Sequence, residues 1–215
     1  MKRSVVLLSA GLDSTVNLYR AQEESDVVLA LTFDYGQRAA PREISAAAAL
    51  AKRVGCPHRV VTLPWFRDFT KTSLVNSAAE IPTDGVSIDD LNASTHSAKA
   101  VWVPNRNGIF LNIGAAFAEG LEAQWLVPGF NLEEAKTFPD NSEAYLQAAT
   151  RALQFSTSNH VQVHCFTTEL TKTEIVQVGR RLQVPFEMIW TCYFGGETQC
   201  GKCESCQRYE RARAN

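Results

Sequence analysis

The feature that most limits what this chain can fold into is an alternation, in which short β-rich apolar runs are followed repeatedly by segments of helical character. Ser4 to Ser9 (SVVLLS) is an apolar run ending in small residues, and Ser14 to Glu24 then reads as a helix. The pattern returns with Val27 to Asp34 as a strand, Pro41 to Val54 as an Ala-rich helix with proline in its first turn, and Arg59 to Leu63 as a strand. Gly55 is placed to end that helix. Further along, Asn107 to Leu121 and Ser142 to Phe155 predict helices, and Gln124 to Gly129 and Val161 to Phe166 predict strands. Thr171 to Glu174 has the spacing of a capping box and opens a helix running to about Leu182. Strands alternating with helices give an α/β fold, an open doubly wound and mostly parallel sheet covered on both faces.

Between Pro64 and Pro104 the periodicity lapses, which predicts an insertion with a short helix and a flexible segment near Ile81 to Leu91. A length of 215 residues fits one large domain with a small appendage, here residues 1–188 followed by 189–215. With 45% hydrophobic residues the chain can build a core, which excludes global disorder. Lys and Arg total 21 against 23 Asp and Glu, so no basic field exists to hold a nucleic-acid backbone. No apolar run reaches the ~18 to 20 residues that span a bilayer, and the apolar start is too short for a secretory signal. A cytoplasmic protein with neither a membrane nor a direct nucleic-acid partner is expected.

In an open parallel sheet, ligands bind beyond the carboxyl ends of the strands where the strand order reverses. The turn after the first strand reads Leu8-Ser9-Ala10-Gly11-Leu12-Asp13-Ser14. Its small residues let backbone N–H groups approach an anion, the following helix offers a partial positive charge, and two hydroxyls can donate. These residues make a phosphate cradle, although Ser, Gly and Asp also serve as ordinary turn and cap residues. The loop lacks the Lys of a Walker sequence and is not G-x-G-x-x-G, so neither γ-phosphate transfer of the Walker type nor dinucleotide binding follows.

Asp34-Tyr35-Gly36-Gln37-Arg38 follows the second strand, and Val103-Pro104-Asn105-Arg106-Asn107 precedes a long helix. Both place an Arg and amides where a nucleotide and a second substrate can meet. The stretch from Gly129 to Asn141 offers Phe138 to stack on a flat heterocycle and Asp140 or Glu133 to accept from its N–H groups. Cys192, Cys200, Cys203 and Cys206 are spaced as a four-thiolate knuckle, for which Zn²⁺ is the expected guest and an iron–sulfur cluster the main rival. Cys56 and Cys165 read as small buried hydrophobes. His160 and His164 fall on one face of a predicted strand without an accompanying carboxylate motif and receive no role.

Taken together, the first turn, D-Y-G-Q-R, V-P-x-R-N, the G-x-N…F-P-D segment, L-x-K-x-E-I with Lys172, and W-x-C-Y-x-G-G…C-G-K-C-x-x-C resemble the 7-cyano-7-deazaguanine synthase family. That family lies within the ATP pyrophosphatases, whose fold is adenine-nucleotide α-hydrolase-like. Ala10, Asn105 and Glu134 to Thr137 depart from its usual residues. The resemblance implies conversion of 7-carboxy-7-deazaguanine, ammonia and ATP to the nitrile through adenylated intermediates. It implies a structural Zn²⁺, Mg²⁺ accompanying ATP, and a homodimer by analogy. On the same basis Asp13, Ser14, Lys172 and Arg106 are the catalytic candidates, with Leu8 to Ser14 around the phosphates. Tyr35, Gln37, Arg38, Asn107, Glu133, Phe138 and Asp140 are the candidates for binding the acid. The alternatives are an amidotransferase stopping at the amide, a tRNA-thiolating relative, and a nucleotide-binding homologue without turnover.

Overall fold

Residues 1–84 and 98–214 are described by a computed structural model. Five parallel strands lie in the order β3-β2-β1-β4-β5, with β1 at Lys2–Leu7, β2 at Ser25–Asp34, β3 at His58–Thr62, β4 at Trp125–Val127 and β5 at Gln162–Val163. The chain moves outward through β2 and β3, then returns to the other side of β1. The order therefore reverses between β1 and β4. Helices among the described residues include α1 (Leu12–Glu24), α2 (Ala40–Val54), α3 (Phe66–Phe69), α4 (Arg106–Gly120), α5 (Leu132–Ala135), α6 (Glu143–Ser156), α7 (Lys172–Arg181) and α8 (Glu204–Ala214).

The doubly wound arrangement is visible in adjacent residues of β1. Val5 joins Leu111 of α4 and Leu146 and Leu153 of α6 on one face, while Val6 joins Leu18 of α1 and Leu50 of α2 on the other. A strand buried on both faces must be apolar throughout, which explains the unbroken run in the sequence. Each fully buried Leu of this kind contributes roughly 2 kcal/mol. A third apolar cluster joins Leu12 and Val16 of α1 to Ile175 of α7 and Tyr209 of α8, so the C-terminal helix packs onto the helix that starts at the first turn.

Most predicted elements form within a residue or two of their expected limits, and α2 does end at Gly55, whose φ is +76°. The strand expected over Val161 to Phe166 contracts to Gln162–Val163. Side chains take over at both ends: Thr157 Oγ1 accepts from Val161 N at 3.0 Å, and beyond the last sheet bond, from His164 N to Leu126 O at 2.9 Å, Asn17 Oδ1 accepts from Phe166 N at 2.8 Å. His160 consequently lies in the preceding turn with φ +54°, outside the strand expected to carry it alongside His164. Cys56 and Cys165 are half-buried. Cys165 Sγ lies 3.5 Å from Phe130 O, so it acts as a weak polar partner as well as an apolar filler. Most of the segment expected to be flexible, beyond Asp84, lies outside the described residues; Ile81 itself is buried against the cysteine cluster. Among the described residues no helix is long and apolar enough to cross a membrane.

Candidate active site

The reversal of strand order leaves a crevice between the ends of β1 and β4, and both following turns enter it. Gly129, just after β4, packs against the first turn of α1 so closely that a Cβ there would sit 2.5 Å from Ser14 N. Only glycine permits this approach. Asn131 continues the contact, donating from Nδ2 to Asp13 Oδ2 at 3.1 Å.

Within the β1 turn, Ser9 N donates to Ser14 Oγ at 3.3 Å, and the two hydroxyls lie 3.1 Å apart. Gly11 caps α1 without any side-chain acceptor, so the first-turn N–H groups are left to an outside anion. Ala10 takes φ +62°, a left-handed conformation that the small turn requires. Its carbonyl accepts from Trp190 N at 2.9 Å, which straps the turn to the segment ahead of the cysteines.

Lys172 is the first residue of α7, placed there by a complete capping box between Thr171 and Glu174. Its Nζ lies 2.6 Å from Asp13 Oδ2 and 2.8 Å from Glu134 Oε1, and all three side chains line the cavity. Two carboxylates thus share one ammonium. Burial pushes Asp13 up to about 6, against the pull of Lys172 and with the help of Glu134. Burial also pushes Glu134 upward, but the ammonium outweighs it and holds that carboxyl below its usual range. Burial disfavours the charge on Lys172, yet the two carboxylates hold its pKa above the ordinary lysine value. Asp13 Oδ1 is buried with no hydrogen-bond partner.

The other wall comes from the insertion and α4. Arg106 opens α4 directly after Asn105, which is left-handed at φ +49°, a conformation asparagine tolerates better than most residues. Arg106 Nη1 lies 3.5 Å from Tyr35 Oη, and its guanidinium sits over the Tyr35 ring. Trp102 and Phe138 are parallel within 4°, with ring centroids 5.9 Å apart, and both line the cavity with Asn107 and Asp140.

The cavity therefore gathers Leu8, Ser9, Gly11, Leu12, Asp13, Ser14, Tyr35, Gln37, Arg106, Asn107, Phe138, Asp140 and Lys172 from the sequence-based candidates. Ala10 shapes the turn without lining it. Arg38 and Glu133 are not brought there. Arg38 Nη2 donates to the carbonyls of Asn76, at 2.7 Å, and Ala79, buttressing the insertion. Glu133 Oε1 accepts from Lys172 N at 2.8 Å, and its other oxygen meets Arg208 and Arg211 of α8. Glu43, Trp102 and Arg208 also line the cavity, and the sequence does not single them out as site residues; Glu134 lines it too, noted in the sequence only within a segment that departs from the family's usual residues. Glu43 reads there as an ordinary first-turn helix acid, and Arg208 as one of several cations on a polar helix.

The four C-terminal cysteines have their sulfurs within 4.8 Å of one another and could hold a metal ion. Phe194 N and Cys200 N donate to Cys192 Sγ, and Lys202 N and Cys203 N to Cys200 Sγ, at 3.3 to 3.4 Å. Such donors stabilise thiolates. Helix α8 begins within this knuckle and carries Glu204, Ser205, Arg208 and Tyr209 to the cavity.

The family model for "Queuosine biosynthesis protein QueC" matches residues 3–215. The chain is 58% identical over 216 residues to the 7-cyano-7-deazaguanine synthase of Bdellovibrio bacteriovorus, covering all of this chain and 94% of that protein. It is 50% identical to the enzyme of the same name from Carboxydothermus hydrogenoformans, covering 99% of each. Among solved structures, a 4-thiouridine synthetase in complex with RNA and ATP aligns with a TM-score of 0.53 at 15% identity, over 99% of this chain and 50% of that one, a likeness of fold. With its length matched almost end to end, this chain belongs to the QueC family of queuosine biosynthesis proteins.

Proposed function

We propose that the protein is an ATP-dependent ligase that converts 7-carboxy-7-deazaguanine and ammonia to 7-cyano-7-deazaguanine. The observation that carries this reading is the crevice itself, where a turn with free N–H groups, Lys172 and Arg106 share one cavity with a parallel aromatic pair. The names borne by close relatives supply the product.

A carboxylate is a poor electrophile, and ammonium carries no free electron pair. Attack of the carboxylate on the α-phosphate, with pyrophosphate leaving, forms an acyl adenylate. Ammonia then displaces AMP to give the amide. A second adenylation, on the amide oxygen, followed by loss of AMP gives the nitrile. Ser9, Gly11 and Ser14 hold the pyrophosphate portion, while Lys172 and Arg106 neutralise charge as it leaves. Phe138, backed by the parallel ring of Trp102, offers a face for the heterocycle to stack on, and Asp140 accepts from its N–H groups.

Mg²⁺ suits the unpartnered Asp13 Oδ1, a hard oxygen beside the phosphate turn, and would supply charge neutralisation at the leaving pyrophosphate. Zn²⁺ suits the cysteines: a tetrahedron with bonds of about 2.3 Å places sulfurs about 3.8 Å apart. Cys200 and Cys206 Sγ lie 3.9 Å apart. An iron–sulfur cluster interposes sulfide and needs wider spacing. The metal's place is structural, and cytoplasmic residence, a homodimer and a reaction without direct nucleic-acid binding complete the reading.

Incubation with the acid, ATP and ammonium should yield AMP, pyrophosphate and the nitrile by mass spectrometry. Release of ADP, or a product that stops at the amide, overturns the assignment. Asp13→Ala should abolish AMP formation while leaving the far-ultraviolet circular dichroism unchanged.

A further inference from the structure

One acid in the cavity wall has no role in the function proposed above. Glu43, in the first turn of α2, lines the cavity beside the end of β2. Its Oε2 accepts from Gln37 Nε2 at 2.8 Å. The same amide also donates to Phe33 O at 2.9 Å and accepts from Tyr35 N at 3.0 Å, so Gln37 is fixed and fixes Glu43 in turn. The charged and titratable groups facing Glu43 are Asp34 and Tyr35 from β2 and its following turn, and Arg106 from α4. It forms no ion pair with Arg106. Burial, opposed by the Gln37 bond and by Arg106 and reinforced by Asp34, pushes its carboxyl up to about 7.

The other carboxyls of the cavity are engaged. Asp13 and Glu134 grip Lys172, Glu204 pairs with Arg208 at 2.7 Å, and Asp140 accepts from Asn141 Nδ2 at 3.0 Å while facing Arg106. Ammonia in neutral water is nearly all ammonium and must lose a proton inside the site before it can react. Among the described residues, Glu43 is the cavity carboxyl that no cation contacts directly, its one side-chain bond being to the Gln37 amide, so it is the one open to pair with that cation.

We propose that Glu43 is the proton acceptor that converts bound ammonium to the ammonia consumed at the acyl carbon. The inference rests on the nitrile-synthase reading. Glu43 carboxylate takes one proton from ammonium and becomes the acid. The freed nitrogen pair forms the C–N bond, the C–O bond to AMP breaks, and AMP departs with that electron pair. The nitrogen sheds one further proton to water as the amide forms, and Glu43 returns its own proton to water before the next turnover.

The test is the pH dependence of kcat/KM for total ammonium, run beside pyrophosphate release from the acid and ATP alone. In the wild type, kcat/KM should rise with ionisation of Glu43 and then stay level until ammonium itself begins to ionise. Glu43→Gln should retain pyrophosphate release, lose about 10²-fold in kcat/KM for ammonium at neutral pH, and climb throughout in proportion to free ammonia. Hydroxylamine, already neutral at that pH, should still trap the adenylate as hydroxamate at close to the wild-type rate. A wild-type profile that follows free ammonia overturns the proposal without any variant. So does equal loss of the hydroxylamine and ammonium reactions in Glu43→Gln, or loss of its pyrophosphate release. Absence of pyrophosphate from the wild type removes the nitrile-synthase reading itself, and the role of Glu43 with it.

Discussion

Single side chains here carry costs that can be weighed. Ala10 at φ +62° is a non-glycine residue in the left-handed region, which costs roughly 1 to 2 kcal/mol, while its buried methyl returns about 0.8 kcal/mol. The strain is larger. Ala10→Gly should therefore leave stability unchanged or raise it by up to about 1 kcal/mol in urea denaturation, and a loss beyond that would show that burial of the methyl outweighs the backbone strain. Glu43 gives a pH-dependent case. Its folded pKa of about 7 lies above the ordinary glutamate value of 4.5, so the folded state binds this proton more tightly than the unfolded chain. Stability then falls as pH rises between those two values, and the penalty is complete above the higher one. Glu43→Gln removes the ionisation, so its stability in urea should exceed the wild type by less than about 1 kcal/mol at pH 5 and by about 3 kcal/mol at pH 8. An equal effect at both values would mean that the carboxyl titrates normally.

At the level of elements, the proposed phosphate site depends on how tightly the turn after β4 is seated on α1. Gly129→Ala would drive a methyl into Ser14 N and the Asp13 carbonyl carbon, with backbone on both sides unable to yield cheaply. A displacement of that turn by a fraction of an ångström should lower AMP formation about 10²-fold, while the sheet, buried elsewhere, survives by circular dichroism. Unchanged turnover would mean that the contact is looser than its geometry. The same level shows what the sequence reveals and what it hides. Apolar alternation locates all five strands and most of the longer helices, because burial on two faces leaves a periodic mark, whereas the short helix after β4 and the polar α8 leave none. The capping box at Thr171 is legible because its two partners are three residues apart. The shortening of β5 is not, since Asn17, which takes the N–H of Phe166, lies far away in the chain. Nor is the sharing of Lys172 by Asp13 and Glu134, from three segments that only the fold brings together. Arg38 and Glu133 have the right chemistry for a ligand, yet their partners are carbonyls of the insertion and cations of α8.

Across the whole molecule, the cysteine knuckle and the crevice are joined twice. Helix α8 runs from the cysteines to the cavity, where Arg208 pairs with Glu204 and Glu133, and Glu133 holds the backbone of Lys172. Purified protein should contain one metal ion per chain by elemental analysis, and a chelator strong enough to strip it should weaken ATP binding as measured by calorimetry, with the sheet still folded. Undiminished affinity in stripped protein would separate the two regions. The second junction is the hydrogen bond from Trp190 N to Ala10 O, two residues before Cys192. Its consequence is reciprocal: if metal retention favours the turn geometry that accepts nucleotide, nucleotide must lengthen metal residence by the same factor. Chelation rates followed with and without ATP would read that factor, and the indole of Trp190, which lines the cavity and donates to Cys192 O, would report both events optically.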